Sequence, residues 1–403
     1  MTGLALGQPL DAYGTSRVSR LRSATHLLAH ADLHNHTWLS DGVGDPALAF
    51  DSMRRAGLDV AALTDHAVFA AGVDDVWDLP WVTRLSGIDR EAWARLGRLA
   101  DAADDPGRFV AIRGFEWSHP LLGHVNVWGT ETFVDPFRTF DTDLSRFYDW
   151  LARTGDGAAA PGSPGRGLAS FNHPGGRGNL LVFAGFELHP AVVGQMAGLE
   201  VFNKRLDYLY EGVEGGDPSP LVRCLDQGWR PGLIGVSDEH GTDWGLPDGK
   251  GRTGVYVTGL SRAAVRTALA DRQVFATRLK GLRLDATLDG HPMGSAVRLP
   301  GPARVRVEVD VDRGGSWRGR PLSLQLLTSG ERMPGVVAAA EFAVPGPEDP
   351  LPAVEVDVDP ARTPWLVLRV SDPAEPADPR ATGPWLRWGS AVAYASPWWL
   401  EAG

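Results

Sequence analysis

The sequence predicts an α/β fold of barrel type followed by a smaller all-β region, and three observations carry that prediction. Short apolar runs recur along the chain, each followed by His, Asp or Glu and then by a loop and a helical stretch. From about Gly281 the helical periodicity stops and alternating apolar stretches take over. The chain has 403 residues, too many for one small domain, and 43% of them are hydrophobic, enough for a sizeable core.

Composition narrows the function classes. A formal net charge of -11 argues against a surface that coats nucleic acid, which needs a basic face, but leaves open a small anionic or ester substrate. The one cysteine, Cys224, excludes an intramolecular disulfide and points to a reducing compartment. Residues 1–30 carry Arg17, Arg20 and Arg22 without an apolar core of signal-peptide length, and no run is long enough to span a membrane. A cytoplasmic protein with no membrane partner is expected; nothing in the sequence speaks to oligomeric state.

Taken in order, residues 1–30 read as an N-terminal extension, with His26 and His30 as surface or packing histidines. The stretch Ala31–Gly42 (A-D-L-H-N-H-T-W-L-S-D-G) then places His34 and His36 two apart, so that on a strand end both imidazoles face one side. Asp41 follows on a polar loop. Asp45-Pro46 is a helix start, with Leu48, Met53 and Ala56 expected inward and Gly57 closing the helix. Leu58–Leu63 reads as a buried parallel strand ending in Thr64-Asp65-His66. After an excursion over 67–107, with a helix expected over Asp89–Ala103, the strand Phe109–Ile112 leads to Glu116, Trp117 and His119, and then to His124.

A helix over Leu144–Ala152 and a Gly/Pro/Ala linker at 155–167 precede the strand Leu168–Phe171, which ends in Asn172-His173. Gly198–Phe202 ends in Asn203, Lys204 and Arg205, and Gly232–Val236 ends in Ser237-Asp238-Glu239-His240. Gly254–Val257 and Val274–Thr277, with a helix capped by Ser261 between them, complete this unit. Beyond it Asp289-Gly290 is a hairpin turn between apolar runs. Ala303–Val311, Leu322–Leu327, Val354–Val358, Trp365–Val370 and Ala391–Trp399 read as strands of a small antiparallel β-sandwich. Trp385, Trp388, Trp398 and Trp399 are expected to pack against the barrel, with a carbohydrate- or partner-binding face as the other use. The predicted division is therefore 1–30, 31–280 and 281–403.

Nine residues, His34, His36, Asp41, His66, Glu116, His124, His173, Asp238 and His240, fall at or just after strand ends, which a barrel gathers at one mouth. Any one of them alone reads as structural; the set reads as a metal centre. The segments D-L-H-N-H-T, L-T-D-H, G-F-E-W, S-F-N-H-P and V-S-D-E-H resemble the motif pattern of PHP-domain (polymerase and histidinol phosphatase) metal-dependent phosphoesterases, in that family's order over roughly residues 31–280. The G-H-V-N-V-W-G segment and the trailing β-region look most similar to the CehA/McbA-type metallohydrolases.

The resemblance implies a distorted (β/α)7 barrel with a trinuclear cluster. Carried over by position, one metal takes His34, His36, Glu116 and Asp238; a second shares Glu116 and adds His124 and His173; a third takes Asp41, His66 and His240. Two to three divalent ions, Mn, Fe or Zn, are implied, with the Asp41 carboxylate tilting preference toward Mn or Fe. Such ions lower the pKa of a bridging water and polarise the electrophile, giving a hydrolase, in the first place a phosphoesterase. Carboxylic or carbamate ester hydrolysis, or a non-catalytic metal-binding module, are the alternatives. Asp65 is expected to orient a histidine through its ring N–H, with a direct ligand role as the lesser alternative. Arg177 and Lys204 or Arg205 are candidates for an anionic group, or solvated surface charges; His119 is a candidate proton donor or a pocket wall. The length and Gly content of residues 67–107 and 175–195 suggest lids over the site, a question the sequence leaves open.

Overall fold

The computed structural model describes residues 14–68, 87–136, 143–154, 166–175, 182–246 and 248–403, and shows a mixed α/β protein with a large mixed sheet and few helices. The first part runs β1 (Leu27–Asp32), α1 (Pro46–Arg55), β2 (Val60–Leu63), β3 (His66–Ala67), α2 (Arg90–Ala103), β4 (Val110–His119), β5 (Gly123–Trp128), α3 (Ser145–Arg153) and β6 (Leu168–Phe171). There follow α4 (Val182–Phe186), a turn with left-handed backbone, then β7 (Met196–Asn203), β8 (Leu206–Asp207), α5 (Pro220–Asp226), β9 (Gly232–Val236), β10 (Arg252–Val257), α6 (Arg262–Ala270) and β11 (Val274–Thr277).

The sheet orders these strands β11–β10–β1–β2–β4–β5–β6–β7–β9. The steps β1–β2–β4 and β6–β7–β9 are parallel. The steps β11–β10–β1 and β4–β5–β6 are antiparallel. Beyond the ends of β1 and β9, Asn35 bridges Glu239 and the His36 N–H donates to the Glu239 carbonyl at 2.8 Å. The strictly alternating strand–loop–helix pattern therefore fails at β4–β5, a hairpin, and β4 is longer than Phe109–Ile112. Glu116, His119 and His124 lie inside strands rather than after strand ends.

Alternation along the strands explains why they read as continuous apolar runs: both faces are buried. Ala61, Leu63, Ala111 and Phe115 enter one core with Phe50 and Met53 of α1 and Trp93 and Leu96 of α2. Val60, Ala62, Val110, Ile234 and Val236, on the other face, enter a second core with Val265 and Leu269 of α6. In α1 the inward stripe is Pro46, Ala49, Phe50 and Met53; Leu48, expected inward, is 59% exposed because it falls off that i, i+3, i+4, i+7 stripe. Asp45 caps this helix through Ala47 N, and Ser261 caps α6 through Ala264 N. His30 is buried.

The chain continues as β12 (Arg283–Leu288), β13 (His291–Pro292), β14 (Ala296–Leu299), β15 (Ala303–Asp312), β16 (Pro321–Thr328), β17 (Gly335–Ala343), β18 (Ala353–Val358), β19 (Trp365–Asp372), β20 (Ser390–Ala395) and β21 (Trp398–Ala402). Asp289 and Gly290 turn β12 into β13 with positive φ at both residues. One antiparallel sheet is β13–β12–β15–β18. The large sheet continues from β11 into β20, β19, β16 and β17. Leu284, Val307 and Val309 of the smaller sheet share one apolar core with Leu324, Leu326 and Leu368 of the larger. Trp385, Trp388, Trp398 and Trp399 are all buried, so packing is their use.

The N-terminal segment is tied into the fold. β1 begins at Leu27, inside the stretch read as an extension, and Arg22 pairs with Asp285 of β12 at 2.9 Å. Cys224 is a buried free thiol of α5. No helix among the described residues is long and apolar enough to cross a membrane.

Candidate metal centre

The loop after β1 is held in place before any ligand is considered. The Asn35 side chain donates to the Ala62 carbonyl, the Trp128 indole to the Leu33 carbonyl at 3.0 Å and the Trp244 indole to the His36 carbonyl at 3.1 Å. Gly42 lets the loop fold back on itself, since a Cβ there would lie 2.8 Å from Thr37 N. Asp65 accepts from Thr37 N at 2.8 Å and from the Thr37 and Ser40 hydroxyls. Its carboxylate thus braces the loop and touches no histidine ring among its hydrogen bonds, contrary to the expected role. Two hydroxyls and an amide N–H one loop away met its oxygens first.

On this frame Glu116 is the hub. Its Oε1 lies 3.2 Å from His34 Nε2 and 3.3 Å from both His124 Nδ1 and His173 Nε2. Its Oε2 lies 2.7 Å from His66 Nδ1 and 3.6 Å from His36 Nε2. Asp238 Oδ1 lies 3.4 Å from His36 Nε2, 3.6 Å from His34 Nε2 and 3.3 Å from His240 Nδ1. Asp41 closes the other side, with Oδ1 3.4 Å from His66 Nε2 and Oδ2 3.4 Å from His240 Nε2. All nine residues named from the sequence are brought into one cluster.

The electrostatics follow from burial and close opposite charge. Burial alone disfavours charge on His34, but Glu116, Asp238 and Glu200 outweigh it and hold the imidazole well above its usual range. The same contest, against Glu116 and Asp41, lifts His66 to about 10. His36 goes the other way, to about 3, because burial is joined by His66 and His240. Glu116 and Asp238 are both held well below the carboxylate range; burial opposes this, but the neighbouring histidines prevail, with Lys204 adding to the effect at Asp238.

The donor set fits divalent ions. His36, Asp41, His66 and His240 offer ligand atoms within 4.8 Å of one another, as do His34, His36 and Glu116, and His66, Glu116 and His124. His36 Nδ1, Glu116 Oε2 and His124 Nδ1 are buried without a hydrogen bond of acceptable direction. A folded protein rarely leaves such atoms unsatisfied, and an ion between them would remove the cost. His34 Nε2 and His36 Nε2 face each other at 3.0 Å. His, Glu and Asp together suit first-row divalent metals.

Three contributors escaped the sequence reading. Glu200 of β7, fully buried, lies 2.8 Å from His34 Nδ1, fixing that ring so that Nε2 points into the cluster. Its Oε2 accepts from His173 N at 2.7 Å and from the Asn203 side chain at 2.8 Å. Asn172 donates to Glu116 Oε1 at 2.7 Å, and Ser118 Oγ lies 2.6 Å from His66 Nδ1. The available signal was a lone charge inside the apolar run G-L-E-V-F.

The remaining candidates separate. His119 alternates with Glu116 and Ser118, stacks on Trp117 at 5.6 Å and accepts at Nδ1 from Leu121 N and Leu122 N. It lies on the opposite face of β4 from the hub and closes the hairpin turn, so the geometry does not support a proton donor there. Lys204 is at the cluster: its Nζ lies 3.1 Å from Asp238 Oδ2 with half of the side chain exposed. Arg205 is exposed, with its carbonyl bound by Arg278. Arg177 lies outside the described residues, as do much of the 67–107 excursion and the start of 175–195.

No family model and no curated protein matches the chain. Solved structures do. One is a two-domain protein from Bacteroides vulgatus ATCC 8482, described as containing a predicted PHP-like metal-dependent phosphoesterase, at 16% identity and a TM-score of 0.46 over 92% of this chain and 95% of that one. Another is Endonuclease Q in complex with a duplex carrying an abasic lesion, at 12% identity and 0.32 over 60% and 56%. A third is an amidohydrolase from Chromobacterium violaceum with bound sulfate and no metal, at 16% and 0.24 over 52% and 87%. At these values the likenesses carry no argument, and the geometry of the cluster carries the functional reading.

Proposed function

We propose that the protein is a metal-dependent hydrolase of small substrates, in the first place a phosphoesterase of the PHP type, with the CehA/McbA-type enzymes as the model for its details. The observation that carries this is the Glu116 hub: one buried carboxylate within 3.6 Å of five imidazoles, with ligand atoms left unsatisfied around it. On this reading residues 31–280 form a distorted (β/α)7 barrel, residues 281–403 a β-sandwich, and the cluster holds two to three ions of Mn, Fe or Zn.

Bound divalent ions would supply an activated water and polarise the scissile group. The chain's own residues prepare the rest. Glu200 orients His34 and tethers the His173 backbone, Asp65 braces the Thr37–Ser40 turn, and Asn172 fixes the Glu116 carboxylate. Lys204, beside Asp238 and half exposed, is placed to hold an anionic group of the substrate. Arg177 is a further candidate for that role.

A second reading, hydrolysis of a carboxylic or carbamate ester, is favoured by one observation: among the described residues Lys204 is the one lysine or arginine ion-paired to a cluster carboxylate, and Asp238 already engages it. Metal-reconstituted protein assayed in parallel on a phosphodiester, an aryl ester and a short oligonucleotide duplex separates these. Phosphodiester turnover supports the leading reading; turnover of the ester alone overturns it; duplex cleavage would instead extend the substrate class to nucleic acid.

A further inference from the structure

A cavity lies at the end of β4, β5 and β6 away from the metal cluster. Its volume is about 650 Å³, within the range that holds a small organic ligand. It is lined by the starts of β4 and β6 and the end of β5, whereas the metal cluster gathers at the opposite ends of those strands. Ile112, Trp128, Leu168 and Leu269 give it an apolar floor.

Its polar wall is unusual for an acidic protein. Three arginines, Arg113, Arg262 and Arg266, line it against one carboxylate, Asp101. Arg262 takes that carboxylate at 2.6 Å. Arg113 donates to the Thr130 carbonyl at 3.0 Å and stacks over Trp93 at 4.0 Å. Arg266 donates to the Arg166 carbonyl. Among the described residues neither Arg113 nor Arg266 has a carboxylate at ion-pair distance, so both charges are met by neutral acceptors and most of their donors remain available. Arg113 is half-buried, and burial outweighs Asp101 and Glu131 to lower its pKa. A partly desolvated guanidinium of this kind gains most from a planar anion that it can grip with two N–H groups.

We propose that this cavity is a second ligand site, taking a small carboxylate with an apolar or aromatic body. The carboxylate meets Arg113 and Arg266, and the body lies on Trp128, Leu168 and Leu269. The site is independent of the metal chemistry proposed above.

The test is calorimetric titration of the full chain with 2-naphthoate, with 2-naphthamide as the neutral isostere and inorganic phosphate as an anion without a body. Saturable one-to-one binding of naphthoate is expected, weakened roughly tenfold or more in both Arg266→Gln and Arg113→Gln. Naphthamide should bind weaker by a similar factor, and naphthoate binding should persist in the His34→Ala/His36→Ala variant. Arg266 is near the surface, so its variant reports even where Arg113→Gln impairs folding. The proposal is overturned by absence of saturable binding to the wild type, by undiminished binding in Arg266→Gln, by loss of binding with the two histidines, or by phosphate binding as tightly as naphthoate.

Discussion

The metal cluster and a second buried polar cluster of this molecule are built on opposite principles. Where β7–β8 meets the C-terminal strands, Arg369 donates to the Tyr394 hydroxyl at 3.3 Å, to Gln325 Oε1 at 2.7 Å and to the Gly389 carbonyl at 3.0 Å. Tyr394 in turn donates to Asp207 Oδ2 at 2.9 Å. Arg369, Tyr394, Gln325 and Asp207 have each found a partner there, as members of a structural network must. Around Glu116 the partners are carboxylates and imidazoles whose lone pairs converge, and His36 Nδ1, Glu116 Oε2 and His124 Nδ1 are left over. A closed network holds a fold together. An open one is shaped for something that is not protein.

The comparison can be broken from either side. The largest effect is expected from Glu116→Gln, which removes the charge that all five nearby histidines share. Metal retention, read by elemental analysis, should fall by more than the roughly 10–100-fold typical of a change outside the ligand set, with little loss of secondary structure by circular dichroism. Arg369→Ala should do the reverse. Leaving Gln325 Oε1 and the Gly389 carbonyl buried without their donor should cost about 2–6 kcal/mol of stability in denaturant titration, while metal content per folded protein stays unchanged.

Glu200→Gln sharpens the contrast, because Glu200 is closed toward the protein and yet serves the open cluster. It should weaken metal affinity by roughly 10–100-fold through loss of the His34 orientation, with competition against a chelator as the measurement. The smallest effect is expected from Tyr394→Phe, about 1–3 kcal/mol of stability, since one buried carboxylate oxygen loses a donor.

Protons and metals compete for the same imidazoles. His66 is raised in the folded protein to about 10. In metal-free protein its ion pairs therefore stabilise fully below the ordinary value near 6.5, and that contribution is lost as pH rises from there through about 10. Metal affinity should move in the opposite sense and strengthen with pH over that window, because the ring must be neutral to ligate. Thermal unfolding of metal-free wild type and His66→Gln from pH 6 to 10 checks the first statement: the wild type should lose more stability across the window than the variant.

Much of the site was legible because its chemistry is written in residue types that buried strands otherwise avoid. H-x-H, T-D-H, N-H-P and S-D-E-H stand at the ends of apolar runs, and polar residues there can be reached only from a sheet edge or mouth. What escaped depended on pairing between distant segments. The β4–β5 hairpin sets Ser118 opposite His124 and puts His119 on the face away from Glu116, and no local signal reports which face a strand turns inward. Glu200 looked like one charge in a hydrophobic stretch; its meaning lies in His34, 166 residues away. Asp65 was placed in the right neighbourhood with the wrong partner, since Thr37 and Ser40 become its donors only once the loop has folded back at Gly42.

The most direct test is the metal content of wild-type protein, after reconstitution with Mn, Fe or Zn and removal of free ion, beside the His34→Ala/His36→Ala variant. Two to three equivalents in the wild type, largely lost in a variant that remains folded, is the predicted result. Less than one equivalent of each metal in the wild type, or equal content in both proteins, would contradict a metal centre at the Glu116 hub.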